Sequence, residues 1–335
     1  KVGVLATIII VFCILIAVLV IYSTLSRLLD EDRSSMAVLK TLGYSDFAIA
    51  GRYILFVLIA GIVGAAISIG PARLVNSIII DAFGIQYSIK TIPLPVVGPY
   101  FFFLSGIIIL ASLILTFVKS IRVADYRPIE LLTPKAPKVG KKILLERTRH
   151  FWKRLSFRYK STCRNVFRYK ARLFMTVLSI MAATTLVFAS FSLLTNTFVM
   201  SGFESLKIIT IVLIAFSAAL CALVIYNITN INISERTREI ATLMVLGYRN
   251  NEVTGYVYRE IYILTAIGAI IGLPAGVGFT QFVFVYIGTF ELSNVSWWVY
   301  LVSPIMTFFF AFFATRLLHY KIINIDMNES LKVLE

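Results

Sequence analysis

The sequence predicts an all-α membrane protein with seven transmembrane helices, and three observations carry that prediction. Of the 335 residues, 59% are hydrophobic and 15% charged, with a mean hydropathy of +0.88. So apolar a chain must be solvated mainly by lipid. Seven runs are long enough to cross a bilayer core of about 30 Å, for which a helix needs roughly 20 apolar residues. Residues 22–72 also align with residues 226–276 at a constant offset of 204 without a gap. That marks a repeated pair of membrane helices with a short polar joint between them.

In chain order the apolar runs lie near residues 4–25, 53–79, 96–118, 174–194, 208–228, 261–286 and 298–318. None carries an ionisable residue near its centre, where each would cost about 2.5–3.5 kcal/mol on insertion scales. Arg52, Arg73, Arg259, Glu260 and Arg316 stand at the margins, where long side chains can reach the interface. Three domains follow: residues 1–118 as the first repeat, 119–172 as a basic linker, and 173–335 as the second repeat with its tail. The second repeat has one additional opening span, so a full duplication would hold 4 + 4 spans, with the first repeat's opening span upstream of Lys1. After each last span comes a similar tail, in which Glu130 and Glu329 correspond.

Charge sets the orientation. Of the 32 Lys and Arg, 17 fall in residues 119–172 beside three of the 17 Asp and Glu. The positive-inside rule makes that linker cytoplasmic. Alternating spans then place both joints and the C-terminal tail inside and Lys1 outside. An outside start on a chain beginning with Lys predicts a preceding span or signal segment. Within the linker, Phe151, Leu155, Tyr159, Cys163 and Phe167 recur every four residues among Lys and Arg. With Trp152, they predict an amphipathic helix lying on anionic lipid. Nucleic-acid binding is the competing reading of such a stretch, and membrane on both sides argues against it.

Seven identities in 21 positions define the joints: Glu31/Glu235, Ala37/Ala241, Leu39/Leu243, Leu42/Leu246, Gly43/Gly247, Tyr44/Tyr248 and Gly51/Gly255. In the second joint, Ser234 is the expected N-cap of a short helix, with Glu235 and Glu239 near its positive end and Gly247 as its stop. Asn250 and Asn251 open the next helix. In the first joint, Asp30 to Leu42, then Gly43 and Tyr44, then Ser45 and Asp46, play these parts. Gly268, Gly272 and Gly276, and Gly64 with Ser68, recur at four-residue spacing, as expected for close helix packing in lipid. Pro71 and Pro274 are expected to kink their helices.

The run Glu235-Arg-Thr-Arg-Glu-Ile-Ala241 with Leu246-Gly-Tyr248, and more weakly Glu31 with Leu39-Lys-Thr-Leu-Gly-Tyr-Ser45, resembles the FtsX-like permease subunits of ABC transporters, the group that includes the MacB and LolC/LolE proteins. The likeness extends to Trp152-Lys-Arg-Leu-Ser156 and Arg164-Asn-Val-Phe-Arg-Tyr-Lys170, a pattern similar to the two-repeat, eight-span permeases of Gram-positive bacteria. It implies a non-catalytic multi-pass subunit of the bacterial plasma membrane, bound to separate ATP-binding subunits at two copies per chain. ATP and Mg would sit on the partner, and its hydrolysis would move the spans to export or extract an amphipathic peptide or lipid-linked substrate by mechanotransmission. Glu31, Leu39, Leu42, Gly43, Tyr44, Glu235, Arg236, Arg238, Glu239, Leu243, Leu246, Gly247 and Tyr248 would form the ATPase-coupling surface. The family's ectodomains have only residues 195–207 at their expected place in the second repeat, so they are reduced or lie outside this sequence. Ser34-Ser-Met36 replaces Arg238-Glu-Ile240 in the first joint, so the two joints are not expected to couple equally.

Other chemistries find no residues. A Gly-x-x-x-x-Gly-Lys-Ser/Thr loop is absent, so the chain should not bind nucleotide phosphates itself. His150 and His319 are isolated, and Cys13, Cys163 and Cys221 have no metal or redox spacing. No metal site, catalytic residue or cofactor of its own is expected. Two further functions compete: a non-transporting signal transmitter that activates a cell-wall hydrolase or senses antimicrobial peptides through an extracytoplasmic protein or peptide, and a scaffold or channel that needs no nucleotide.

Overall fold

The computed structural model describes residues 2–87, 98–132, 157–168, 170–199, 204–288 and 290–325. The described chain is helical, and seven of its helices are long and apolar enough to cross a membrane. Contacts divide it into two units: residues 1–135, 192–215 and 283–295 form one, and residues 136–191, 216–282 and 296–335 the other.

In the first unit, α1 (Val2–Glu31) is followed by the short α2 (Arg33–Thr41), the long α3 (Asp46–Tyr87), α4 (Pro99–Ala124) and the single-turn α5 (Pro128–Leu132). α4 packs beside both α3 and α1, while α5 lies against α2. Pro99 begins α4 after an extended Gly98, the position where a missing N–H costs the helix nothing.

The linker helix α6 (Phe157–Arg168) leads towards α7 (Lys170–Val199), the additional opening span of the second repeat. Then come α8 (Glu204–Ser234), the short α9 (Thr237–Val245), the long α10 (Asn250–Ile287), a 3-10 turn (Leu292–Asn294), α11 (Trp297–Leu317) and the single-turn α12 (His319–Ile323). In the second unit, α7 lies against α10. A Cβ placed on Gly268 would come within 2.6 Å of Ile180, one on Gly272 within 2.8 Å of Thr184, and one on Gly276 within 3.1 Å of Phe188. The four-residue glycine spacing therefore does what it predicts, admitting a neighbouring helix at close range. Thr185 adds a hydrogen bond of 3.3 Å to the Gly272 carbonyl, and Thr184 one of 3.2 Å with Thr307 of α11.

The helices outrun the apolar segments that mark them. α3 has 42 residues and α10 has 38, which at 1.5 Å per residue gives lengths of about 63 and 57 Å, far beyond a hydrocarbon core of about 30 Å. Both continue through their internal prolines, Pro71 and Pro274. A hydropathy boundary locates where lipid ends, whereas the helix ends where backbone hydrogen bonds find another partner.

Candidate functional site

The joints are superposable by residue number. α2 and α9 start and stop at positions related by the same 204-residue shift, and so do the first residues of α3 and α10. Each short helix ends in the same way. Gly43 donates its N–H to Lys40 O at 3.1 Å and Tyr44 to Leu39 O at 3.1 Å; Gly247 donates to Met244 O at 3.0 Å and Tyr248 to Leu243 O at 3.2 Å. This is the Schellman arrangement, which needs a residue in the left-handed region just past the helix. Gly43 and Gly247 supply it at φ 88° and 87°. Three of the seven repeated identities are thus one device, with Leu at its first carbonyl, Gly at the turn and Tyr closing it.

Beneath each short helix lies an equivalent core. Met36, Ala37, Ile49 and Tyr53 are buried in the first joint, and Ile240, Ala241, Val253 and Val257 hold the corresponding places in the second. Leu39 and Leu243 pack against these cores from the edge. The opposite face is apolar yet open: Leu42 is 69% exposed and Leu246 70%, with Tyr44 and Tyr248 each more than half exposed. Glu31, Glu235 and Glu239 are also exposed. Beside α9 a groove of about 990 Å³ runs along the start of α10, lined by Leu243, Tyr248, Tyr256 and Arg259 among others.

The polar fastenings of the two joints differ. In the first, Lys40 of α2 donates to the Ala124 carbonyl at the end of α4 and to Tyr126 O at 3.1 Å, and pairs with Asp46 at 3.0 Å. Tyr53 donates to Asp32 at 3.1 Å. In the second, Arg236 occupies the place of Asp32 and forms an ion pair with Glu260 of α10, both side chains being about 95% buried. Lys321 of α12 reaches back to Asn230 at 2.5 Å and Ser234 at 2.8 Å in α8, and Tyr258 bonds His319 at 2.7 Å.

Three expectations need correcting. Ser234 is not the N-cap of the joint helix: α8 runs through it, and Arg236 stands at the cap position without a side-chain cap. The polar residues Asn230 and Asn232 do not end the span because its backbone ladder continues, and Thr237 then bonds Ser234 O at 2.9 Å. Likewise Asp30 does not open the first joint helix; it belongs to α1, and α2 begins at Arg33 after a break at Asp32. Arg236, expected on the outer surface, faces inward, where the buried Glu260, with Glu239 at 3.9 Å, offsets the cost of burying its guanidinium. The side chain of Arg238 lies outside the described residues.

The sequence did not single out Lys40 or Lys321, and it placed Glu260 merely at a span margin. The partners of the two lysines include backbone carbonyls and neutral side chains, which leave no pairing pattern to read.

In the linker, Phe151, Trp152 and Leu155 lie outside the described residues, as does the side chain of Tyr159. The helix itself forms over Phe157–Arg168, with Val166 buried and Phe167 and Cys163 half-buried. Burial pushes the Cys163 thiol up from its ordinary value, so it stays protonated and a poor nucleophile at neutral pH. Among the described residues no three His, Cys, Asp or Glu side chains gather to hold a metal.

A family model described as FtsX-like permease C-terminal matches residues 7–128 and, a second time, residues 211–327. Each match spans one joint together with the helices around it. No curated protein matches the chain, and no solved structure does.

Proposed function

This chain belongs to the FtsX-like permease family and is thereby a multi-pass subunit of an ABC-type transporter in the bacterial plasma membrane; from that premise we propose that its two joints are the docking knobs for the ATP-binding partner. The observation that carries the proposal is the outer face of the joints. Leu42 and Leu246 are exposed to the same degree at the same place, on a polar segment between spans where lipid does not explain an apolar surface. Exposed apolar patches with a polar rim mark interaction sites, and here Glu31, Glu235 and Glu239 supply the rim. Burying one leucine side chain against a partner contributes about 1.5–3 kcal/mol, so the two together supply part of what an anchored complex needs.

The joints lie on the side that the basic linker marks as cytoplasmic, where ATP and Mg would be held by the partner. Each short helix is fastened to the next span by its glycine turn and its buried core, so a push on the knob displaces α3 or α10. Transmission of that displacement to an amphipathic peptide or lipid-linked substrate at the outer face is the function this architecture supports best. One ATP-binding subunit per joint gives two per chain. The anionic leaflet is a further partner, at the linker helix.

The test is the double variant Leu42→Asp/Leu246→Asp in the full-length protein, purified with its ATP-binding partner. A tenfold or greater loss of co-purifying ATPase, with the permease still inserted and monodisperse, is expected. Undiminished association and ATPase stimulation would remove the docking role.

A further inference from the structure

The groove of about 990 Å³ beside α9 is walled by Glu239 and Leu243 of α9 and by Glu252, Tyr256, Arg259 and Tyr262 of α10. On α10, Glu252, Gly255, Arg259 and Tyr262 follow one another at steps of three, four and three residues, which sets them on one face. Shifted by 204, the charged walls Glu239, Glu252 and Arg259 become Ser35, Ala48 and Leu55, while Tyr258 and Tyr262 become Ile54 and Leu58. The exposed leucine and the glycine stop are common to both joints. These carboxylates and this pair of rings belong to the second repeat alone.

The charges are ordered along α10. Glu252 is exposed near its start, accepting a hydrogen bond from Arg249 N at 3.1 Å, and Glu239 of α9 adds a second carboxylate. Arg259 stands seven residues further on, at the margin of the apolar run. Its Nε donates to the Gly255 carbonyl at 2.8 Å, which draws the guanidinium back to within about one turn, roughly 5.4 Å of rise, of Glu252. Among the described residues no carboxylate pairs with it. A Cβ added at Gly255 would meet nothing within 4 Å, so the floor between the two signs is open. Tyr258 and Tyr262 use their hydroxyls on His319 and Thr315, at 2.7 and 3.0 Å, and lend the groove their rings. Tyrosines at the end of a span mark the depth of lipid headgroups.

We propose that this groove seats the headgroup of a zwitterionic phospholipid with a free ammonium, of the phosphatidylethanolamine type, from the leaflet on the side of the joints. Outward from its acyl chains, such a lipid presents glycerol, then phosphate, then the ammonium a short link away. The groove meets them in that order with the rings of Tyr258 and Tyr262, the guanidinium of Arg259, and the carboxylates of Glu252 and Glu239. Both polar contacts are charge-assisted hydrogen bonds, the stronger kind. A lipid whose headgroup is anionic only would satisfy Arg259 and leave two carboxylates opposing it. Because the walls come from α9 and α10 together, a bound headgroup ties the second joint helix to the span that follows it. Leu246 is not among the walls, so the groove and the docking knob can fail separately.

The test is native mass spectrometry of the full-length protein, delipidated in mild detergent and supplied with equimolar phosphatidylethanolamine and phosphatidylglycerol. The wild type is expected to retain phosphatidylethanolamine with a preference of about tenfold, the weight of one charge-assisted contact. Arg259→Gln, and Gly255→Leu, which fills the open floor, should each lower that retention about tenfold. Glu252→Gln, on the exposed surface, should bring the two lipids to parity. Leu55→Ala, at the first-repeat counterpart of Arg259, and Leu42→Asp/Leu246→Asp should retain lipid as the wild type does. Equal retention of the two lipids by the wild type, or retention indifferent to Glu252→Gln and Gly255→Leu, overturns the proposal. Phosphatidylethanolamine missing from the purified complex with the ATP-binding partner, whose polypeptide would then fill the groove, overturns it too.

Discussion

The two joints present the same surface over different foundations. Outside, α2 and α9 share length, glycine stop, closing tyrosine and an exposed leucine. Underneath, the first is held by a partly buried lysine reaching carbonyls and a carboxylate, and the second by an arginine–glutamate pair withdrawn from solvent. Duplication has kept what a partner could touch and let the internal fastenings diverge. The outer shape is constrained by backbone geometry, which leaves little choice of residue at a left-handed turn. An inner fastening has many chemical solutions of similar energy.

The largest expected effect separates the two undersides. Arg236→Ala or Glu260→Gln strands a buried charge and should cost about 3–5 kcal/mol. Asp32→Asn, at the counterpart of Arg236, leaves Tyr53 a neutral partner and should cost about 1 kcal/mol. Thermal unfolding of the detergent-solubilised variants checks this, and equal losses would erase the distinction.

A smaller effect tests the shared exterior. Gly43→Ala and Gly247→Ala each force a Cβ into the left-handed region, at about 1–2 kcal/mol. Near-identical losses in the same assay are expected; a loss at one site alone would break the equivalence of the turns.

The smallest effect concerns the helices that leave the joints. Ser45 accepts a hydrogen bond from Ala48 N at 3.3 Å at the start of α3, while at the start of α10 Glu252 accepts one from Arg249 N at 3.1 Å. A capping box combines both contacts, so each repeat keeps one half of it. Arg249→Ser should complete the box and stabilise by about 0.5–1 kcal/mol, seen as slower hydrogen exchange in the first turn of α10. No change would show that Glu252 alone caps that end.

The sequence discloses these features unevenly, for physical reasons. The spans, the repeat and the glycine stops are legible because hydropathy, periodicity and the demand for φ > 0 act on residue type directly. Ser234 misleads because a serine before charged residues satisfies an N-cap pattern equally well when the preceding helix runs through it. Arg236 and Glu260 read as surface charges because nothing along the chain shows that residues 24 positions apart meet as a buried pair. Lys40 is harder still, since its targets include carbonyls of Ala124 and Tyr126, and every residue has a carbonyl.

Where the cation is rooted decides what moves with what. Lys40 grows from the short helix itself and grips the end of α4, so a displacement of α2 is felt in two spans at once: α3 through the chain and α4 through the lysine. Lys321 grows from the chain after α11 and grips α8, tying those two spans together behind α9. In the second repeat the same displacement reaches α10 through the buried pair and α12, at the end of α11, through Tyr258 and His319, and Lys321 carries it on to α8. The first joint holds a second span by one of its own residues, whereas the second reaches its other spans by way of α10.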